Sequence, residues 1–382
     1  MRELNPDIIK SKVVVFAGAG ASAHLGYPTG GEFLYDLYAR FGEAQDDVMR
    51  SLFNALENWA VPPCAAKTRT ETNFEQLYES ADILTSLISR VCLPPGGVGA
   101  PCDISMRAFE EMFPSQQVQD WMGGCEDLRK SAEKLQRRLR AHLIRTYGVL
   151  QPEETLEESC WPDFLHELCS WGYITPVFTT NYDLALEDLE RWFGWRDVSV
   201  NFGHIEARGV RRISPDEYEG FDLEEFNAAV FRLHGCVAWQ RMRRRAVDAD
   251  GAVAFMAFDP ATLRPVVKPD KTAVIWPSPS KLPFEREFWR SHEYLVECVA
   301  NCRVLAFIGY GFADRALMSL VSYAAHRNRD LCIVALDPAS NSREKAIAAG
   351  LPQECIGPTI RGKFEDAWRQ LVEEVESLVP DD

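Results

Sequence analysis

The chain lacks the paired cysteines of a zinc ribbon. Its eleven cysteines are scattered from Cys64 to Cys355, and no Cys-x-x-Cys pair occurs. A four-cysteine zinc site therefore has no support, and the odd count argues against a disulfide framework. Buried, reduced thiols are expected instead, and no metal. No stretch approaches the roughly 18 uninterrupted apolar residues of a membrane helix. The opening residues MRELNPDIIKSK are charged and carry no apolar signal core, which points to a cytoplasmic protein with no membrane contact. Basic residues are in deficit: 41 Lys and Arg against 57 Asp and Glu give a formal charge of −16. Binding to a phosphate backbone rests on basic neutralisation, so direct nucleic-acid binding is not expected. The densest basic run, RMRRR at residues 241–245, reads first as a solvated loop. No internal repeat recurs at a fixed period.

What is present is ordinary for a globular chain: 382 residues, 46% hydrophobic and 26% charged. That length suits two domains, or one large domain with an insertion. Residues 12–17 (KVVVFA) read as a buried strand, because an apolar run without polar alternation fits a parallel sheet covered on both faces. A glycine-rich turn follows, then a helix from near Gly31 through Phe41. Residues 44–150 change character, with helical patterns such as DDVMRSLFNALENWA and CEDLRKSAEKLQRRLRAHLIRTYG broken by the loop LPPGGVGAPCD. They form a mostly helical insertion between residues 1–43 and 151–382.

The strand pattern then resumes. A strand ends near Thr179 and a helix runs from Asp183 to Phe193. DVSVNFG is a short strand, and AVFRLHGCVAWQ (residues 229–240) is again strand-like. Residues 241–283 are irregular or hairpin-bearing. REFWRSHEYLVECVANC is a helix, CRVLAFIGYG a strand and turn, ADRALMSLVSYAAHR a helix, LCIVALDP a strand and FEDAWRQLVEEVESLV an amphipathic helix. Apolar strands alternating with helices predict a doubly wound, Rossmann-like α/β sheet.

Four turns at strand ends carry chemistry-bearing residues. Gly18-Ala19-Gly20-Ala21-Ser22-Ala23 fits G-x-G-x-x-G/A between a strand and a helix. Small residues there let the backbone approach a pyrophosphate, whose charge amides and a helix N-terminus can hold. A dehydrogenase would place an acidic residue about 20 positions on, at the tip of the second strand. Asp36 has that spacing but falls within the helix, which lowers the dehydrogenase reading. The second turn, FTTNYD (residues 178–183), sets Thr179, Thr180, Asn181 and Asp183 directly after an apolar strand. Such groups need partners if buried; Asp183 alternatively caps the next helix. The third, RLHG, puts His234 at a strand end, where ligands of open α/β sheets bind and where an imidazole exchanges protons near neutral pH. The fourth, IGYGFAD, repeats the logic of the first. Asp314 there either contacts a ribose or phosphate or simply opens the helix. Asp337 in ALDP either accepts ribose hydroxyls or starts a turn before Pro338.

The ordered set GAGAS, TTNYD, LHG and GYGF resembles the sirtuin family, specifically its divergent bacterial branch of NAD-consuming proteins. The resemblance covers residues 12–40 and about 174–340 and leaves out the helical insertion. It implies an NAD-binding Rossmann-like domain. Gly18, Ala19, Gly20 and Ser22 would line the pyrophosphate, and Thr180 would belong to the same binding set. Asn181 and Asp183 would face the nicotinamide and its ribose, and His234 would be the general base. Gly309, Gly311 and Phe312 would border the adenosine, and Asp337 its ribose. Protein-deacylating sirtuins carry a PDFR-like run where this chain has Tyr27-Pro28-Thr29-Gly30, and they carry the zinc ribbon missing here. Both departures point toward relatives that are NAD glycohydrolases, many of them anti-phage defence effectors. Those relatives work with a sensor such as a HerA-type ATPase or a short Argonaute. With no fused sensor domain in view, a separate partner or self-assembly into a homo-oligomer is implied.

The chemistry expected is hydrolysis of NAD to nicotinamide and ADP-ribose, through an oxocarbenium-like transition state. Asn181 would position a water or the ribose. His234 would take a proton from that water or from a ribose hydroxyl. NAD-dependent protein deacylation and a non-catalytic NAD or ADP-ribose sensor are the rival readings.

Overall fold

The computed structural model describes residues 4, 6–42, 115–149, 151–171, 175–187, 198–200, 205–206, 210–213, 228–242, 254–258, 272–274 and 286–379. The helical pattern at 46–60, the loop at 93–103, most of RMRRR and the helix beyond residue 187 lie outside them. The chain divides into two compact units, Met1–Thr29 with Leu143–Asp382, and Gly30–His142.

The first unit is built on a seven-stranded sheet. In chain order its strands are β1 (Val13–Ala17), β2 (Thr175–Thr179), β3 (Val198–Val200), β6 (Ala228–Arg232), β10 (Val304–Ile308), β11 (Cys332–Asp337) and β12 (Ile356–Arg361). Their spatial order is β12-β11-β10-β1-β2-β6-β3, and every pairing is parallel. β1, β2, β6 and β10 are buried at every position, so none of them shows alternation. From β1 the chain first builds toward β2, β6 and β3, then returns to the other side of β1 as β10 and continues to β11 and β12. The direction of winding therefore reverses between β1 and β10, where open α/β sheets form a crevice at the carboxyl ends of their strands.

Helices cover both faces. On one, α6 (Arg286–Asn301) and α7 (Arg315–Arg327) bury Tyr294, Leu295, Leu317 and Met318 with Val14, Phe16, Phe178, Phe231 and Phe307 of the sheet. Phe178 stacks on Phe231 of the next strand at 4.8 Å, and Phe16 meets Phe307 at 5.0 Å. Each such ring, fully buried, contributes about 1.5–3 kcal/mol. On the other side, Trp161 and Phe164 of α5 (Trp161–Cys169) pack edge-on against Phe364 of α9 (Phe364–Leu378) at 4.8 and 5.2 Å. Cys298 and Cys302 are buried, reduced thiols, and burial pushes both well above their ordinary pKa.

A second sheet of the same unit is antiparallel, in the order β4-β5-β8-β7-β9. It uses β4 (Ile205–Glu206), β5 (Val210–Ile213), β7 (Gly235–Met242), β8 (Ala254–Phe258) and β9 (Thr272–Val274). Residues 229–240, which read as one strand-like run, are thus two strands in two different sheets. The break falls at Leu233–His234, because Gly235 takes φ +78° and turns the chain out of the parallel sheet.

In the second unit, α2 (Gly30–Gly42) presents Phe33 and Leu37 on one face, four residues apart. The helix α3 (Ser115–Tyr147), which belongs to this unit as far as His142, buries Ala132, Leu135 and Leu139 at heptad-like spacing. Phe33 stacks on His142 at 5.0 Å. Asp36 lies mid-helix, with Oδ2 3.0 Å from Arg40 and 3.2 Å from His142. It sits at no strand tip, in keeping with the lowered dehydrogenase reading.

Candidate functional site

The parallel register lines up the strand ends. Ala17 pairs with Ile308 on one side and Thr179 on the other, Thr179 pairs with Arg232, and Ile308 pairs with Leu336. The four turns picked out in the sequence therefore leave the sheet along one edge.

The turn after β1 does not enter an α-helix directly. Two 3-10 turns, Ala19–Ala21 and Ala23–Leu25, come first, and α2 starts only at Gly30. Four backbone amides of this turn are engaged within the protein. Gly18 N donates to Ile308 O at 2.9 Å, Gly20 N to Gly309 O at 3.0 Å, Ala21 N to Gly18 O at 3.0 Å and Ser22 N to Ala19 O at 3.2 Å. An anion bound at this turn must compete with those carbonyls for any of the four. The glycines have a second use. A Cβ on Gly20 would lie 2.8 Å from Gly309 Cα, and one on Gly309 would lie 2.5 Å from Gly20 Cα at φ +58°. The loops after β1 and β10 touch through bare backbone.

Asn181 braces that contact. Its Nδ2 donates to Gly18 O at 2.9 Å and to Ser22 Oγ at 3.1 Å, while its backbone N–H donates to Thr179 Oγ1 at 3.1 Å. Thr180 beside it is half-buried. Asp183 accepts the Ala185 N–H at 3.1 Å through Oδ1 and so caps the helical turn that starts at Ala185. Burial pushes its carboxyl above the ordinary value, against the opposing pull of Arg232, the Ala185 amide and Ser22.

Beneath these lies a buried ion cluster. Arg232 donates from Nη1 to Asn181 O at 2.9 Å and from Nη2 to Glu187. Burial works against the guanidinium charge, but Glu187, Cys236 and Asp183 outweigh it and raise its pKa. The sequence reading missed Arg232 and Glu187. The signal was present in AVFRLHG, where a charged residue closes an apolar strand and so requires a buried partner.

His234 stands at the elbow between the two sheets. Its Nε2 lies 3.0 Å from Asp314 Oδ2, and its ring stacks over Tyr182 at 6.2 Å. Asp314 also accepts Leu317 N–H through Oδ1 at 3.0 Å and so caps α7. Burial alone would raise the Asp314 pKa, but His234, the Leu317 amide and His292 lower it below the ordinary value. The cluster is closed: Asn181, Asp183 and His234 expose 8%, 2% and 4% of their surface. The half-buried Ala19, Gly20, Thr180 and Asp314 stand at its rim.

Gly18, Gly20, Ser22, Asn181, Asp183 and Gly309 thus belong to one connected set, and His234, paired with Asp314, stands beside it with its ring over Tyr182. Three expected residues stand apart. Gly311 is exposed, with nothing within 4 Å of where a Cβ would sit. Phe312 turns its ring into the core, 4.8 Å from Phe307 and 5.4 Å from Tyr310, at a left-handed φ of +58°. Asp337 ends β11 and accepts Ala339 N–H through Oδ1 at 2.6 Å, which makes it a turn former with that oxygen engaged.

The strand order and the switch between β1 and β10 define an α/β protein with a Rossmann-like, doubly wound parallel sheet. No family model matches the chain, and no curated protein does. Solved structures similar to it include a Sir2 homologue in complex with NAD, 13% identical over 97% of this chain and 92% of that one, with a TM-score of 0.40. A mutant Sir2 homologue with ADP-ribose is 14% identical over 98% and 97%, with a TM-score of 0.36. Sir2Tm bound to a propionylated peptide is 11% identical over 98% and 97%, also at 0.36. Likenesses this distant assign no residue a role, and the fold stands on its own topology. Among the described residues no group of acidic, histidine or cysteine side chains is placed to hold a metal, and no helix is long and apolar enough to cross a membrane.

Proposed function

We propose that the strand-end cluster hydrolyses the N-glycosidic bond of NAD, and that the chain acts as an effector in bacterial anti-phage defence. The observation that carries this reading is the convergence of His234, Asn181 and Asp183 on one edge of the sheet, beside the switch between β1 and β10. The likeness of the four motifs supplies the dinucleotide; the distant structures do not. The nicotinamide leaves as a neutral base, so no general acid is required. A water oxygen bonds to the anomeric carbon as the C–N bond breaks, and its electron pair returns to the pyridinium nitrogen. His234 takes the proton of that water and releases it to solvent. The products are nicotinamide, ADP-ribose and one proton. Asn181 holds the glycine turn against which the substrate lies, and Asp183 faces its ribose.

Burial of the imidazole counts against this reading as it stands, since His234 exposes 4% of its surface; hydrolysis requires the half-buried rim residues to move apart and admit water and substrate. That requirement suits an enzyme held at rest until it assembles or meets a sensor partner such as a HerA-type ATPase. The test is mass detection of nicotinamide and ADP-ribose from NAD across a range of protein concentrations. His234→Ala is expected to lose about 10²–10⁴-fold in turnover while remaining folded, and Asn181→Ala to lose turnover through the loosened glycine turn. Wild-type turnover in both variants would remove the assignment. Running the assay with and without an acylated peptide separates hydrolysis from deacylation, which consumes NAD only with the peptide. Binding without turnover under all conditions would leave a sensor.

A further inference from the structure

We infer that Asp314 is the positioning residue of His234: its carboxylate selects the imidazole tautomer and ties the elbow between the two sheets to the loop after β10. The inference rests on the hydrolase reading for its kinetic consequence, but the geometry behind it stands alone. One Asp314 oxygen is 3.0 Å from His234 Nε2, and the other accepts an amide of α7 at 3.0 Å. The carboxylate is therefore held at both oxygens and cannot swing away without uncapping the helix. An ionised carboxylate only accepts, so the hydrogen between them is on Nε2, and Nδ1 carries the lone pair. A neutral imidazole can take a proton only through that lone pair, so Asp314 decides which nitrogen is the base. The depressed pKa of Asp314 keeps it ionised for this task.

Among the described residues, Tyr182 and His292 also lie beside the imidazole. Tyr182 presents its ring face at 6.2 Å. His292 of α6 has Nδ1 2.7 Å from Phe288 O, and burial lowers its pKa to about 4, so at neutral pH it is an uncharged ring that donates to its own helix. If His234 takes the proton of the attacking water, the imidazolium forms against a carboxylate already in place. The C–N bond breaks and the C–O bond forms as before, and no further reactant enters.

The test uses the full chain with Asp314→Ser, which keeps a capping oxygen for α7 and removes the carboxylate, and Asp314→Asn, which caps equally well. Ring ¹⁵N NMR reads the tautomer and NAD cleavage reads the kinetics. The wild type is expected to hold His234 with its proton on Nε2. Both variants should lose that preference and about 10²–10⁴-fold in kcat, with KM for NAD little changed. An unchanged tautomer in both variants overturns the inference, whether turnover is kept or lost, since any loss then traces to the helix cap. If the wild type cleaves no NAD at all, the hydrolase reading falls, while the ring spectrum still decides what Asp314 does.

Discussion

The loops after β1 and β10 look alike in sequence, GAGAS and GYGF, yet they do different work. The first is locked: its amides at Gly18, Gly20, Ala21 and Ser22 are bonded to protein carbonyls, and Asn181 clamps it from the side. The second carries conformational strain and charge, with Gly309 and Phe312 both at φ +58° and Asp314 at its end. A glycine-rich turn at a strand end is thus ambiguous on its own. Here Gly20 and Gly309 let two backbones meet, while Gly311 faces open space.

The contrast can be broken from below or sharpened loop by loop. The largest effect is expected for Arg232→Met, which unhooks Asn181 and strips Glu187 and Asp183 of their buried cation. Removing one partner of such a pair costs about 3–5 kcal/mol, to be measured by urea unfolding. Gly309→Ala comes next. A side chain at φ +58° costs about 1–2 kcal/mol, and overpacking against Gly20 adds about 1–3 kcal/mol. A variant of unchanged melting temperature would mean that the loops do not touch as described.

Asp314 gives a pH-dependent effect. Its folded pKa is depressed, so its contribution is present above the unfolded carboxylate value, about 3.9, and disappears as pH falls through the lower folded value. Asp314→Asn should flatten that acid limb in unfolding measured against pH. Asp183 runs the other way. Its folded pKa is raised, so its contribution is present below the unfolded value and is lost as pH rises through the raised one. Last and smallest, Gly311→Ala should change stability by no more than about 0.5 kcal/mol. A large loss there would show the second loop to be packed after all.

Much of the sheet was legible from unalternating runs. VVVFA, AAVFR, VLAFI and CIVALD became parallel strands because both faces are covered. The antiparallel sheet was legible only in part: most of β7 lay in the strand-like run 229–240 and residues 241–283 read as irregular or hairpin-bearing, but β4 and β5, at 205–213, are too short to carry a pattern. The sequence pattern singled out Asn181, Asp183 and His234, and the structure places them just past the carboxyl ends of β2 and β6. The pairing of His234 with Asp314 lay beyond reach, because nothing local to either residue encodes contact between two chain-distant loops. Phe312 misled for a related reason: its place beside two glycines suggested a rim, whereas Phe307 and Tyr310 offered its ring a dry seat.

The elbow at Gly235 sets where the imidazole stands. Only Leu233 and His234 separate the last residue of β6 from the first of β7. Both flanks of that link are pinned to the turn after β2, where Leu233 N–H donates to Thr179 O at 2.9 Å and Val237 N–H to Tyr182 O at 3.0 Å. The ring therefore takes its place from the junction of the two sheets.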